Sequence, residues 1–294
     1  MKVPAPLRSL GLILALISAG STAEAEEFEA VSARASADYV RARQPDGSYP
    51  VETYAFGKGG YWSGPVDDKT IDKMDFLTVA HVIAVPLAAQ NYVPTRDPTT
   101  TKLLILVYWG TTYAPEHASE SLTYDRMQST TQEVNMAIQQ HDPALVIQQL
   151  EDEESIALTE AQRENYRRDN ADLRNAMMLG YDSWWATTFH AHSGTPQERE
   201  RQDMMHELEE DRYFVVLKAY DFQLLRQKKQ HKLLWETRFS IRERVHAFNQ
   251  ALPAMALEAS RFFGQDSGGL THKPLPDGTV NLGELRNLGT LPEK

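Results

Sequence analysis

The chain has 294 residues, no cysteine and a formal charge of −11. An acidic chain repels phosphates, which argues against nucleic acid and against an anionic membrane surface as partners. Without cysteine a chain in an oxidising compartment depends on an ordinary core, not on disulfides, and this length is enough to bury one.

Residues 1–25 read as a secretory signal peptide. Lys2 and Arg8 form a positive end, Leu10 to Ala19 an apolar run, and Ala23 and Ala25 bracket Glu24 in the A-x-A pattern of a cleavage site after Ala25. The run is shorter than the roughly 20 residues that cross a bilayer. No cysteine follows it to carry a lipid, so the expected product is an exported, soluble protein, periplasmic or secreted. Loss of Lys2, Arg8 and Glu24 takes 30 basic and 41 acidic residues to 28 and 40, leaving the mature chain still acidic. No later segment is apolar enough to be a transmembrane span.

Residues 26–50 are polar and acidic and end at the turn signal Pro45-Asp46-Gly47. Val51 to Phe56 alternate in polarity and predict a first strand. Gly57, Gly59, Gly60 and Gly64 follow without the order of a phosphate-binding loop. Asp72 is the predicted cap of a helix with Phe76, Val79, Ala80, Ile83 and Leu87 on one face, and Pro86 predicts a kink or an end near Val85. Within Lys102 to Trp109, the unbroken apolar run Leu103 to Val107 predicts a central strand covered on both faces.

Residues 113–210 are polar and helical and predict a long insertion. Thr159 and Gln162 match a capping box; the helix it would open carries Leu173, Ala176, Met177, Gly180, Tyr181 and Trp184 on one face. Its charged first half is expected to project into solvent, and Glu151 to Glu154 to form a solvated connection. Thr195, Pro196 and Glu198 predict a second helix start. Tyr213 to Phe222 and Leu233 to Arg242 predict an antiparallel hairpin with one buried and one wet face. Arg226, Lys228, Lys229, His231 and Lys232 would lie at its solvated tip. Leu252, Met255, Ala256, Ala259, Phe262 and Phe263 define a closing helix, capped by Asn249 and stopped by Gly264. Residues 265–294 predict an irregular C-terminal tail with an edge strand near Thr279 to Leu282. The expected architecture is one α/β domain over residues 26–264, a small two-layer sandwich of a mixed sheet and covering helices with the helical insertion at 113–210.

Phe76 to Trp109, with Gln90-Asn91-Tyr92 at the helix exit, and Tyr213 to Gly264, with Lys232-Leu233-Leu234-Trp235 and Leu252-Pro253, carry a resemblance. Together they resemble small bacterial envelope modules related to the TolB amino-terminal domain and the curli-accessory lipoproteins, many of them uncharacterised. The likeness covers under half of the mature chain. It implies a non-catalytic envelope role and transfers no catalytic residue. The insertion and the missing lipid-bearing cysteine depart from the lipoproteins.

Candidate chemistry is sparse. Gln265-Asp266-Ser267-Gly268-Gly269 is similar to the serine-protease segment Gly-Asp-Ser-Gly-Gly, but Gln265 replaces its first glycine and no histidine stands in the matching context, so Ser267 is predicted in a loop. His190, His192 and His206, the last beside Glu207, are donors of the type zinc uses, yet the second histidine of H-E-x-x-H is missing. The expectation is exposed histidines, with no metal and no cofactor. Tyr181, Trp184, Trp185 and Phe189 form an aromatic cluster that reads either as a ligand or carbohydrate surface or as the contact docking the insertion on the sheet. Tyr54, Tyr61 and Trp62 carry the same two readings. The combined expectation is an exported, non-enzymatic accessory protein that binds another envelope protein through its insertion. The alternatives are a small-molecule hydrolase, with or without a metal, using a cleft between insertion and sheet, and a solute-binding module using the Tyr181 to Phe189 aromatics.

Overall fold

The computed structural model describes residues 28–64, 67–114, 129, 132, 143–188, 192–243 and 247–274. Seven strands follow one another as β1 (Phe28–Ala35), β2 (Glu52–Trp62), β3 (Tyr92–Pro94), β4 (Leu103–Thr111), β5 (Arg212–Asp221), β6 (Leu233–Arg242) and β7 (Leu270–Pro274). They form one mixed sheet in the order β3-β2-β4-β5-β6-β1-β7. β2 runs parallel to both β3 and β4, and every other pairing is antiparallel. The helices are α1 (Lys69–Asp72), α2 (Phe76–Ala89), α3 (Pro143–Leu179), α4 (Asp182–Thr188), α5 (Pro196–Leu208), α6 (Phe222–Lys228) and α7 (Phe248–Ala259). The expected α/β sandwich of a mixed sheet with covering helices is present.

Helices α2 and α7 cover the first face of the sheet. Val79, Ile83 and Leu87 of α2 and Leu252, Met255 and Ala259 of α7 pack on Ile105, Val107, Val215, Leu217, Trp235 and Phe239. Asp75, not Asp72, caps α2, its carboxylate accepting from the Thr78 N–H at 2.8 Å. Pro86 does not end the helix, which runs on to Ala89. The N–H that proline lacks would have bonded to Val82, one turn back, so only one helical bond is lost. The predicted cap at Asn249 also moves: Ala247 precedes α7 and makes no side-chain cap. A short 3-10 turn, Ser260–Phe262, leads from α7 to Gly264, which takes a left-handed φ of 70°.

The second face is covered in part by the chain between β4 and β5. Ala176, Leu179 and Tyr181 at the end of α3, with Met204 and Leu208 of α5, bury Ala30, Phe214 and Val216. The hairpin face expected to be wet is therefore largely enclosed: Glu236 and Ser240 are buried, as is Arg212. Thr159 does not open a helix. It lies inside the 37-residue α3, with its hydroxyl donating to the Ser155 carbonyl at 2.9 Å. The start at Thr195 holds, the hydroxyl accepting from Glu198 N–H at 3.3 Å with Pro196 in the first turn. α6 occupies the predicted hairpin turn, and its Arg226, Lys228 and Lys229 end is exposed. In the tail, β7 forms at 270–274, while Thr279 to Leu282 lie outside the described residues.

Gly180 ends α3 at φ 87°, and a Cβ there would fall 2.5 Å from Ser32 Cβ of β1. Both the left-handed turn and the close approach require glycine. Gly180→Ala is expected to lower stability by more than about 1 kcal/mol, from the left-handed conformation alone, read as a fall in thermal midpoint.

Glu29 is fully buried in β1, and neither carboxylate oxygen has a hydrogen-bond partner among the described residues. Burial first, then the charge of Glu258, holds its pKa well above the usual 4.5. The folded state thus keeps a proton that the unfolded chain releases, so this residue favours folding most below pH 4.5 and less as pH rises towards its folded pKa. Glu29→Gln should remove that slope. Its gain in thermal midpoint over the wild type should widen from about pH 4 to about pH 8; a constant difference would show that Glu29 does not titrate this way.

Candidate functional site

The chain leaves β4 and re-enters β5 at one point, and polar groups fasten that junction. Thr112 N–H donates to the Arg212 carbonyl at 2.9 Å, and Arg212 N–H to the Thr112 hydroxyl at 3.0 Å. Ala114 N–H donates to the Asp211 carboxylate at 3.0 Å. Asn175, buried on α3, spans the gap by donating to the Tyr113 carbonyl at 2.8 Å and the Leu208 carbonyl at 3.0 Å. A helix that long is thereby fixed to both ends of the excursion.

Beside this junction lies a group of ionisable side chains that the helices bring to the sheet. Glu207, near the end of α5, accepts the Tyr181 hydroxyl and lies 3.0 Å from His272 Nε2 of β7. Arg212 Nη1 is 3.9 Å from Glu207 and 3.8 Å from Glu210. Glu210 also holds Arg242 at 2.6 Å and His206 at 3.5 Å. Arg212 is anchored from the other side by Ser240, donating to its hydroxyl at 3.2 Å and its carbonyl at 3.3 Å.

Opposed effects set the protonation states. Burial pushes the Glu207 carboxyl up, but hydrogen bonds from His272 and Tyr181 and the Arg212 charge outweigh it, and the net pKa is lowered. Burial drives the Tyr181 phenol far above its usual range. Glu207 is therefore a carboxylate and Tyr181 a phenol at neutral pH, each already engaged. A general acid or base needs a pKa near the working pH and a proton within reach of substrate. This pair holds structure together and is not poised to move a proton.

The predicted site residues are dispersed. Tyr181 is buried, with Trp184 at 6.0 Å between ring centroids, and Trp184 and Trp185 are half-buried against the same cluster. Of the two readings of these aromatics, the packing of these three is that of docking contacts. Phe189 and His190 lie outside the described residues. His192 is exposed in the loop before α5, and His206 stands on the last turn of that helix, roughly 15 Å along its axis from Pro196 at 1.5 Å per residue. Among the described residues no group of three or more His, Asp or Glu could hold a metal ion. Ser267 ties the loop before β7 to β1: its hydroxyl accepts from Ala33 N–H at 2.9 Å, and its own N–H donates to the Ala33 carbonyl at 3.0 Å.

Two other polar groupings stand elsewhere. On the first face, Arg41 lies 3.8 Å above the Tyr92 ring and 3.2 Å from Glu52, which also accepts the Tyr39 hydroxyl. Next to it a cavity of about 440 Å³ opens between Arg43, Tyr49, Asn91 and Arg261. Both of its arginines are engaged, Arg43 with the Gly47 carbonyl and Arg261 with Glu258. At the far end of β2, Tyr61 and Tyr213 donate to Asp72 and Asp68.

No protein-family model matches the chain, and no curated protein is similar to it.

The Glu207 grouping yields a test of the junction. Because the folded pKa is lowered, its stabilisation is present above pH 4.5 and lost as pH falls through the folded value. Glu207→Ala should cost roughly 1–3 kcal/mol at neutral pH, as expected for buried donors left without their acceptor. The difference from the wild type should shrink below about pH 4. Denaturant unfolding at pH 7 and pH 3.5 measures both.

Proposed function

We propose that this chain is an exported, non-enzymatic envelope protein that acts by binding another protein through the free face of α3. One observation carries the reading. Leu158, Tyr166, Leu173 and Met177 are between 40% and 71% exposed, and helical spacing places all four within about 100° of arc. The docked residues Ala171, Asn175 and Leu179 occupy a different side of the same helix. A stripe of large apolar side chains held outward on a rigid element is what a helix-in-groove contact uses.

The partner expected here is an envelope protein with an apolar groove bordered by cations. Asp169, exposed on the same helix, stands within the arc of the stripe and supplies the matching negative charge. Export rests on the signal-like residues 1–25, and the envelope address on them and on the resemblance of the hairpin and closing helix. The non-enzymatic reading is supported by the protonation states at the junction. No helix among the described residues is long and apolar enough to cross a membrane.

Site-specific photo-crosslinking in cells of the source organism tests this. A photoreactive residue at 166 or 177 should give one discrete adduct, and one at 226 on α6 should not. Tyr166→Ala and Met177→Ala should each weaken recovery of the same partner about tenfold, the effect of removing a central interface side chain, with unchanged circular dichroism. Equal adducts from 166 and 226, or recovery unaffected by both substitutions, would rule the reading out.

A further inference from the structure

The glycines of β2 have a consequence on the second face of the sheet. β2 lies beside β4 with Gly60 opposite Tyr108 and Trp62 opposite Gly110, after a bulge between Lys58 and Gly60. A Cβ at Gly59 would lie 2.5 Å from Tyr108 Cε1 and 2.6 Å from both Cδ1 and Cε2. Three atoms on both sides of one ring, nearly equidistant from a single point, mean that the point faces the ring and that the ring lies flat across β2. Side chains on a sheet ordinarily stand off it. Here the missing Cβ lets a ring lie down. Leu106 does the same over Gly57, where a Cβ would come within 2.6 Å of its Cδ2. The indole of Trp62 covers Gly60, with Cη2 and Cζ3 3.1 Å from the position of a Cβ.

The result is a pair of aromatic rings spread over the β2–β4 backbone, their centroids 5.8 Å apart and their planes 38° from each other. Trp62 is 44% exposed, although it also touches buried Phe214 at 6.1 Å between centroids. α3 makes its main sheet contacts with β1, β5 and β6, and Met204 and Leu208 of α5 pack on Phe214 and Val216 of β5. Charged side chains border the rings on the other flank. Lys218 Nζ is 5.9 Å from the Tyr108 centroid and 3.8 Å from Glu236, which holds Arg238 at 2.8 Å.

We propose that Trp62 and Tyr108 form a binding platform for β-linked pyranose saccharides. The axial C–H groups of such a sugar make one side of its ring flat, apolar and weakly positive, which suits the negative face of an aromatic ring. Lys218, partly exposed and 5.9 Å from the Tyr108 centroid, donates to a hydroxyl group at the edge of the rings, the combination of flat apolar contact and a polar group that orients a small ligand. Stacked nucleobases use similar rings, but with a cationic track for phosphate; here the chain is acidic, and the Lys218 beside Tyr108 is itself paired with Glu236. The platform does not involve α3 and stands apart from the protein-binding reading.

The test is titration of the protein with cellohexaose and with chitohexaose, followed by tryptophan fluorescence and calorimetry. Saturable binding of at least one is expected. Trp62→Ala, Tyr108→Ala and Gly59→Ala, the last lifting the Tyr108 ring from its bed, should each weaken it at least about tenfold, the loss expected when a central aromatic contact is removed. Trp62→Phe and Tyr108→Phe, which keep a ring, should bind within about threefold of the wild type, a difference below 1 kcal/mol. Should the alanine variants not fold, protection of wild-type fluorescence from iodide by bound sugar, reduced in Trp62→Phe, replaces them as the expected result. Absence of saturable binding to both sugars, binding unchanged in folded Trp62→Ala and Tyr108→Ala, lack of iodide protection, or tighter binding of a thymidine oligonucleotide than of either sugar would overturn the proposal.

Discussion

β5 is packed from both sides, and that double burial organises the rest of the molecule. Tyr213, Val215, Leu217 and Ala219 enter the core under α2 and α7, while Phe214 and Val216 enter the one under α3 and α5. At about 1.5–3 kcal/mol for each large apolar side chain fully buried, neither face can be left to water. The strand that needs both covers begins where the long excursion ends. The helices must therefore fold back onto the strand that follows them, and the hydrogen bonds between Thr112 and Arg212 mark where the return is fixed.

Electrostatics at the junction follow from the same constraint. Closing α5 over β5 brings Arg212 under cover, and a buried guanidinium needs acceptors at once. Ser240 supplies them from the neighbouring strand, Glu207 and Glu210 from the end of the helix. Tyr181 and His272 then use what remains of Glu207. Each group in the network meets another's desolvation need, which leaves the cluster structural and chemically quiet.

Periodicity made some elements readable and tertiary context hid others. β4 and β5 stood out as apolar runs, and β6, α2 and α7 because their apolar residues repeat at two or at three to four. β1 did not. Phe28-Glu29-Ala30-Val31-Ser32-Ala33-Arg34-Ala35 is small and polar, yet it lies between β6 and β7, because alanine and serine let α3 come close and Gly180 rest on Ser32. The polar face of β6 looked wet because sequence spacing does not reveal that a helix more than fifty residues earlier covers it. The same holds for the junction network. Glu207 was noticed as a possible zinc donor, but its contact with His272 joins α5 to a tail strand 65 residues on, and no local pattern connects them. The glycines of β2 were visible, and their use was not, since what lies over a glycine is decided by the neighbouring strand.

The two faces of the sheet divide the work. On the first, α2 and α7 cover the strands across their width, so that side is committed to the core. On the second, the described helices α3 and α5 pack mainly on the β1–β5–β6 half, and Leu106, Tyr108 and Trp62 lie over the glycines of β2. A strand with ordinary side chains at Gly57 and Gly59 would hold Leu106 and Tyr108 upright and leave gaps between them. Glycine lets the side chains of β4 lie over β2, so the backbone is roofed by a flat apolar surface instead of a third layer. A helix laid on that surface would hide Trp62, and the chain places none of the helices that pack on β1, β5 and β6 there. The exposed stripe of α3 and the exposed rings of β2 and β4 thus arise from one economy. Among the described residues, α3 and α5 cover the part of the second face that β5 requires, and the exposed apolar surface beside it is where binding can take place.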